Sequence, residues 1–158
     1  MSVPTRNRKT SPLQFFATAI DIRVEVTRLM SSTAVIPKHW RFTFGEPACA
    51  DAKRLVDHIE RADAFYPNSQ HNVTMRRHYL TEAVADCHVI LQDLQCACDA
   101  GLPVPLARLE RVVGLLDEEI GLLKGARKAV KLTGGAQAAP ALEDEVAELM
   151  GCLTEEGV

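Results

Sequence analysis

Four stretches of apolar residues spaced three and four apart, each closed by proline or glycine, constrain this chain more than any other feature. That spacing follows the turn of an α-helix and gathers apolar side chains on one face. The first stretch opens at Ser11–Pro12, a capping hydroxyl before a proline suited to the first helical turn. Phe16, Ile20, Val24 and Thr27 mark one edge of its face; Phe15, Ala19, Ile22, Val26, Leu29 and Met30 widen it, and the helix is predicted to end near Ser31. The second opens at Pro47, carries Ala48, Ala52, Leu55, Ile59 and Ala62, and closes at Phe65, Tyr66 and Pro67. The third runs from about Gln70 to Ala100, with Asn68 or Ser69 as turn or cap. Its predicted inner stripe is Met75, Tyr79, Ala83, Cys87, Ile90, Leu91, Leu94 and Cys98. Gly101 stands where a left-handed terminal residue belongs, and Pro103 prevents continuation. The fourth opens at Pro105 with Leu106, Leu109, Val112, Val113, Leu116, Ile120 and Leu123 as core positions. Lys124, Arg127, Lys128 and Lys131 suit the negative end of its dipole.

Four such helices with short connectors predict an all-α fold, an antiparallel up-down four-helix bundle over residues 11–131. The 47% of apolar residues is enough to bury a core without disulfides or metal. Residues 1–10 read as a disordered basic arm. Residues 32–46 read as a loop in which Trp40, Phe42 and Phe44 cap the end of the core and Gly45 permits a turn. Residues 132–158 read as a Gly/Ala/Pro linker and an acidic tail with a helical stripe, Leu142, Val146, Leu149, Met150 and Leu153. The wide apolar face of the first helix and the small-residue stripe of the second predict burial against a second subunit.

Charge is unevenly placed. All 18 Lys and Arg lie within residues 1–131 with 15 of the 21 acids, a balance of +3, whereas residues 132–158 hold six acids and no base. An acidic tail beside a mildly basic body suits either an interaction protein whose tail shields a nucleic-acid surface or a solvated tail that aids solubility. No apolar run approaches the roughly 20 residues that span a bilayer. The basic N-terminus lacks the pattern of a secretory signal, so no membrane association and a cytoplasmic location are expected. The five cysteines form no C-x-x-C pair and read as small buried hydrophobes.

Catalytic motifs are missing from the sequence: no phosphate-binding glycine loop, no G-x-S-x-G, no H-E-x-x-H and no E-x-x-H pair of a di-iron bundle. His58 near Glu60, Glu82 with Asp86, and His71 with His78 are the nearest approaches. A non-enzyme without cofactor or metal is expected. The basic residues carry more information. Lys38 and Arg41 flank Trp40; Lys53, Arg54 and Arg61 lie on the second helix, where Lys53 can pair with Asp57; Arg76 and Arg77 stand near the start of the third. Cations at a helix N-terminus oppose its dipole, so local stability does not explain Arg76 and Arg77, which are candidates for a partner contact or a buried ion pair. These seven residues are the candidate surface for nucleic acid or a protein partner.

Two segments add a resemblance. Residues 37–45, PKHWRFTFG, and residues 62–83, ADAFYPNSQHNVTMRRHYLTEA, are similar to signatures of a bacterial four-helix-bundle family. That family comprises the accessory variability determinants of diversity-generating retroelements and proteins encoded in intervening sequences of 23S rRNA genes. The matching positions are Pro37, Lys38, Arg41, Phe42 and Gly45; Ala62, Tyr66 and Pro67; and Arg76, Arg77, Tyr79, Leu80 and Ala83. The resemblance covers about residues 12–130 and implies a homopentameric, non-catalytic accessory subunit that binds a reverse transcriptase and its template RNA or DNA. The chain departs from the pattern in lacking a Gly-Gly-Trp-like end to its fourth helix, in its mildly basic body and in its acidic extension. Two alternatives stand beside this expectation: a protein of the intervening-sequence type with no retroelement partner, and a small bundle enzyme or metal carrier.

Overall fold

The computed structural model describes residues 14–133. The basic arm at 1–10, the Ser11–Pro12 helix start and the acidic tail lie outside the described residues. Four helices carry the fold: α1 (Gln14–Ser31), α2 (Glu46–Ala64), α3 (Gln70–Asp99) and α4 (Leu106–Ala129). No strand occurs among the described residues. Helix α1 packs on α2 and α4, α3 packs on α2 and α4, and the diagonal pairs do not approach, so the helices form a closed ring. Neighbours run antiparallel. One end gathers the start of α1, the α2–α3 turn and the end of α4, where the Thr133 amide donates to Pro67 O at 2.8 Å. Towards the other end, Arg111 of α4 meets Glu25 of α1 at 3.6 Å.

The predicted boundaries have clear local causes. Ser69 caps α3: its hydroxyl accepts the Asn72 amide at 3.2 Å. Gly101, at φ 75°, ends α3 in a left-handed turn. The Gly101 amide donates to Cys98 O and the Leu102 amide to Ala97 O, both at 3.0 Å, which satisfies two carbonyls of the last turn.

The connector differs most from expectation. After Val35 and Ile36, both buried, the chain forms a 3-10 helix (Lys38–Trp40) and one π-helical turn (Arg41–Gly45) that runs directly into α2. Val35 and Ile36 plug the core here. Of the aromatics, Phe44 only leans on the core, Trp40 is 38% exposed and Phe42 is 81% exposed. Gly45 makes no turn either; it is helical at φ −66° and ψ −42°.

The core stripes shift in three further places. Val73, Leu80 and Val84 are buried in α3, whereas Met75 and Tyr79 are half-buried. Leu106 is exposed, and Glu119 occupies the core position between Leu116 and Leu123. The wide face of α1 is largely consumed within the bundle: Phe16, Ala19, Ile22, Val26, Leu29 and Met30 are all buried, leaving Val24 exposed at the edge, with Thr27. Ala48, Ala52 and Ala62 of α2 are likewise buried in the chain's own core. Cys87 alone of the described cysteines is buried; Cys49 and Cys98 are half-buried and Cys96 is exposed. No described helix is long and apolar enough to cross a membrane.

Candidate nucleic-acid interface

The seven candidate basic residues fall into three places. Lys38 and Arg41 stand on the connector, Lys53, Arg54 and Arg61 along α2, and Arg76 and Arg77 near the start of α3. Helix α2, about 28 Å long at 1.5 Å per residue, separates the first group from the last. The structure therefore does not bring them into one patch within a single chain.

Most of them have partners inside the fold. Lys53 pairs with Asp57, one turn on. Arg54 bonds Asp51 and Asp86, each at 2.8 Å. Arg61 lies over the Tyr79 ring, 5.9 Å from its centroid. Arg76 donates to Phe65 O at 3.3 Å and pairs with Asp63 at 3.4 Å. Arg77 donates to Val130 O at 2.7 Å. Phe65 and Val130 are the residues that close α2 and α4. The two arginines thus serve the negative ends of neighbouring helices, and this favourable placement explains their position against the dipole of their own helix.

Between α2 and α3 lies a polar network that motif reading did not assemble. Asp86 is 4% exposed. It accepts from Arg54 Nε at 2.8 Å and from His58 Nδ1 at 2.6 Å. The Tyr79 ring lies 6.1 Å from the His58 ring and stacks on Phe65 at 5.7 Å. Asp93, beside Asp51, has its carboxyl pushed up to about 6 by burial and by the neighbouring Asp51, against a smaller opposing pull from Arg54. An aspartate that holds a histidine at Nδ1 fixes the ring's orientation. The network's visible work is to join two helices, and neither of the clefts described below contains any of its members. No group of three or more His, Cys, Asp or Glu among the described residues is placed to hold a metal ion.

The connector is different. Lys38, His39, Trp40 and Phe42 are exposed in sequence around a half-buried Arg41. Lys38 forms no ion pair among the described residues. Arg41 donates from Nη2 to Ser31 O at 3.3 Å, while its buried Nε has no partner among the described residues. A cleft of about 500 Å³ opens beside them. Met30 and Cys49 contribute apolar surface, Lys38, Arg41 and Phe42 line it from the connector, and Glu46 is the one acid. A second cleft, about 380 Å³, lies at the opposite end between Phe15, Tyr66, Arg76, Leu80 and Lys131. The sequence already showed two cations beside Trp40. It did not reveal the exposed ring of Phe42, because an aromatic two residues after a tryptophan reads as core until Val35 and Ile36 are seen to fill that place.

No protein-family profile matches the chain, and no curated protein is significantly similar to it.

Proposed function

We propose that the chain is a non-enzymatic accessory protein of a diversity-generating retroelement, cytoplasmic and homopentameric, which binds the reverse transcriptase and template RNA or DNA in support of mutagenic retrohoming. The observation that carries the reading is the cationic and aromatic run of the connector, Lys38 to Phe42, in which Lys38, His39, Trp40 and Phe42 are exposed around a half-buried Arg41 and neither cation has a carboxylate partner among the described residues. It falls within one of the two segments on which the family resemblance rests. Core packing does not account for it, since Val35 and Ile36 already close the core there. The four-helix ring is the architecture that the resemblance implies, which supports the reading without separating its two branches.

The structure also changes which cations matter to this reading. Lys38 has no ion-pair partner among the described residues, and Arg41 has no carboxylate partner there but donates to Ser31 O at the end of α1, as Arg76 and Arg77 donate to the ends of α2 and α4. Binding is tested with the reverse transcriptase and repeat transcript of a retroelement encoded beside the gene, over a range of salt concentrations. Wild type binds both, and Lys38→Glu/Arg41→Glu weakens both while its circular dichroism stays native. RNA binding without any affinity for the polymerase points to the intervening-sequence type. Absence of binding to either at low salt refutes the reading, and a monomer mass by light scattering refutes the pentamer.

A further inference from the structure

We propose that the cleft between the end of α1 and the connector receives an unstacked base of a single-stranded nucleic acid, with Phe42 as the stacking surface and Lys38 and Arg41 on the flanking phosphates. The inference rests on the nucleic-acid part of the function proposed above and narrows it to one strand form and one site.

The argument starts from Phe42. A phenylalanine with 81% of its surface in water gives nothing to the fold, and it belongs to a π-helical turn, a local geometry found often at functional sites. It lines a cleft of about 500 Å³, within the size range of ordinary ligand sites. The cleft has the mixed character that a nucleotide needs. Met30, Cys49 and the Phe42 ring offer apolar and π surface; Lys38 and Arg41 offer positive charge. Lys38 is free of ion pairs among the described residues, and Arg41 spends one Nη2 bond on Ser31 O and leaves its Nε unpartnered. Glu46, the one acid of the lining, leaves the site cationic overall and faces a nucleobase more readily than a phosphate.

Charge selects a polyanion, and the exposed ring selects its form. In a duplex every base face is already stacked, so an aromatic ring beside a cleft gains nothing from it. In a single strand the faces are free, and aromatic stacking tolerates any base. Trp40 and His39, whose rings lie 5.7 Å apart, sit on the same short segment outside the cleft. They extend the aromatic surface along the path of a strand that crosses the connector.

The test uses the full chain and a fluorescein-labelled oligouridylate of a dozen or so residues, compared with an RNA duplex of equal length, by anisotropy across a salt series. Wild type prefers the single strand. Phe42→Ala lowers single-strand affinity by about 5- to 150-fold, the range for losing one stacked base, and leaves duplex affinity and the salt slope unchanged. Lys38→Gln/Arg41→Gln instead reduces the salt slope by about 1.4, two phosphates at about 0.7 each. Trp40 is the only tryptophan, so Trp40→Phe/Phe42→Trp moves the sole indole into the cleft. Its emission is quenched by oligouridylate and not by the duplex, and its affinity matches that of Trp40→Phe alone. If wild type binds RNA but Phe42→Ala is indifferent and the relocated indole is silent, this inference falls and the proposed function stands. If wild type binds no nucleic acid, the nucleic-acid part of that function falls too. If Phe42→Ala instead dissociates an oligomer, the ring belongs to an interface between copies and the inference is overturned.

Discussion

Replacing Glu119 by glutamine is expected to remove a pH dependence that dominates the stability of the bundle between pH 5 and 8. Glu119 is fully buried on α4, and neither carboxyl oxygen has a partner among the described residues. Burial, with a smaller push from Glu118, raises its carboxyl from 4.5 to about 8. The folded chain therefore holds a proton that the unfolded chain releases across that interval. Stability is full below pH 4.5 and falls as pH rises, until the folded carboxyl itself ionises near pH 8. At about 1.4 kcal/mol per pH unit, the loss is under about 1 kcal/mol at pH 5 and about 3 kcal/mol at pH 7. Glutamine has the same shape and does not titrate. It still buries polar atoms without partners, a cost of about 1–3 kcal/mol that does not vary with pH. Wild type and Glu119→Gln should therefore be close near pH 5. The variant should gain about 2–3 kcal/mol over wild type by pH 7, roughly 5–10 °C in Tm for a chain of this size. Asp93, raised to about 6, contributes to the pH dependence of both proteins and cancels in the difference. The Cys87 thiol is pushed up to about 12 by burial, with Glu119 and Asp86 adding to it, so it does not titrate in this window. Urea denaturation followed by circular dichroism at pH 5, 6, 7 and 8 provides the comparison. Parallel stability curves for the two proteins would refute the reasoning.

Three further substitutions test the frame around the site. Gly101→Ala forces a side chain into a left-handed conformation and should cost about 1–2 kcal/mol, seen as a lower midpoint in urea with an unchanged slope. Asp86→Ala strips the partner from His58 and from one edge of Arg54, and should cost about 3 kcal/mol. Arg54→Ala should cost less, about 1 kcal/mol, because that side chain is 46% exposed and shares its bonds with Asp51. Equal losses for Asp86→Ala and Arg54→Ala would show that burial of Asp86 is not what gives the network its value.

The helices were legible because their signals are local. Ser69, Gly101 and Pro105 act within a turn of their own positions, and the structure places α3 and the opening of α4 within a residue of the predicted limits. Glu119 and Asp86 were not read as buried from the sequence, which assigned the core position to Ile120, although each falls at helical spacing between core residues, Leu116 and Leu123 for one, Ala83 and Ile90 for the other. A charged residue in such a slot marks a buried carboxyl, but the pattern does not tell whether it finds a partner. Asp86 does, across the helix interface, and Glu119 does not. The connector was not legible at all as structure. A 3-10 turn followed by a π turn has no periodic signature, and although Pro37, extended at ψ 150°, does stand at the break after α1, Gly45 suggests a break that the chain does not make.

The same distinction between local and distant partners decides how the candidate surface is weighed. From sequence, Arg76 and Arg77 looked like the strongest case for a partner site, because the only dipole in view was that of their own helix. The fold adds two more helix ends within reach, and each arginine donates to a terminal carbonyl of one of them. A charge reversal there removes a cation from the surface and a bond from the helix end at once. Loss of binding in Arg76→Glu/Arg77→Glu would therefore be ambiguous unless its stability were shown to be native. Lys38 and Phe42 carry no such double duty: neither is buried, and neither forms an ion pair or hydrogen bond through its side chain among the described residues. Their substitution should leave the unfolding midpoint within about 0.5 kcal/mol of wild type, the usual range for surface positions. A change in binding at Lys38 or Phe42 is then a change in recognition, and it is on the connector, at the far end of α2 from Arg76 and Arg77, that the proposed function is most directly exposed to refutation.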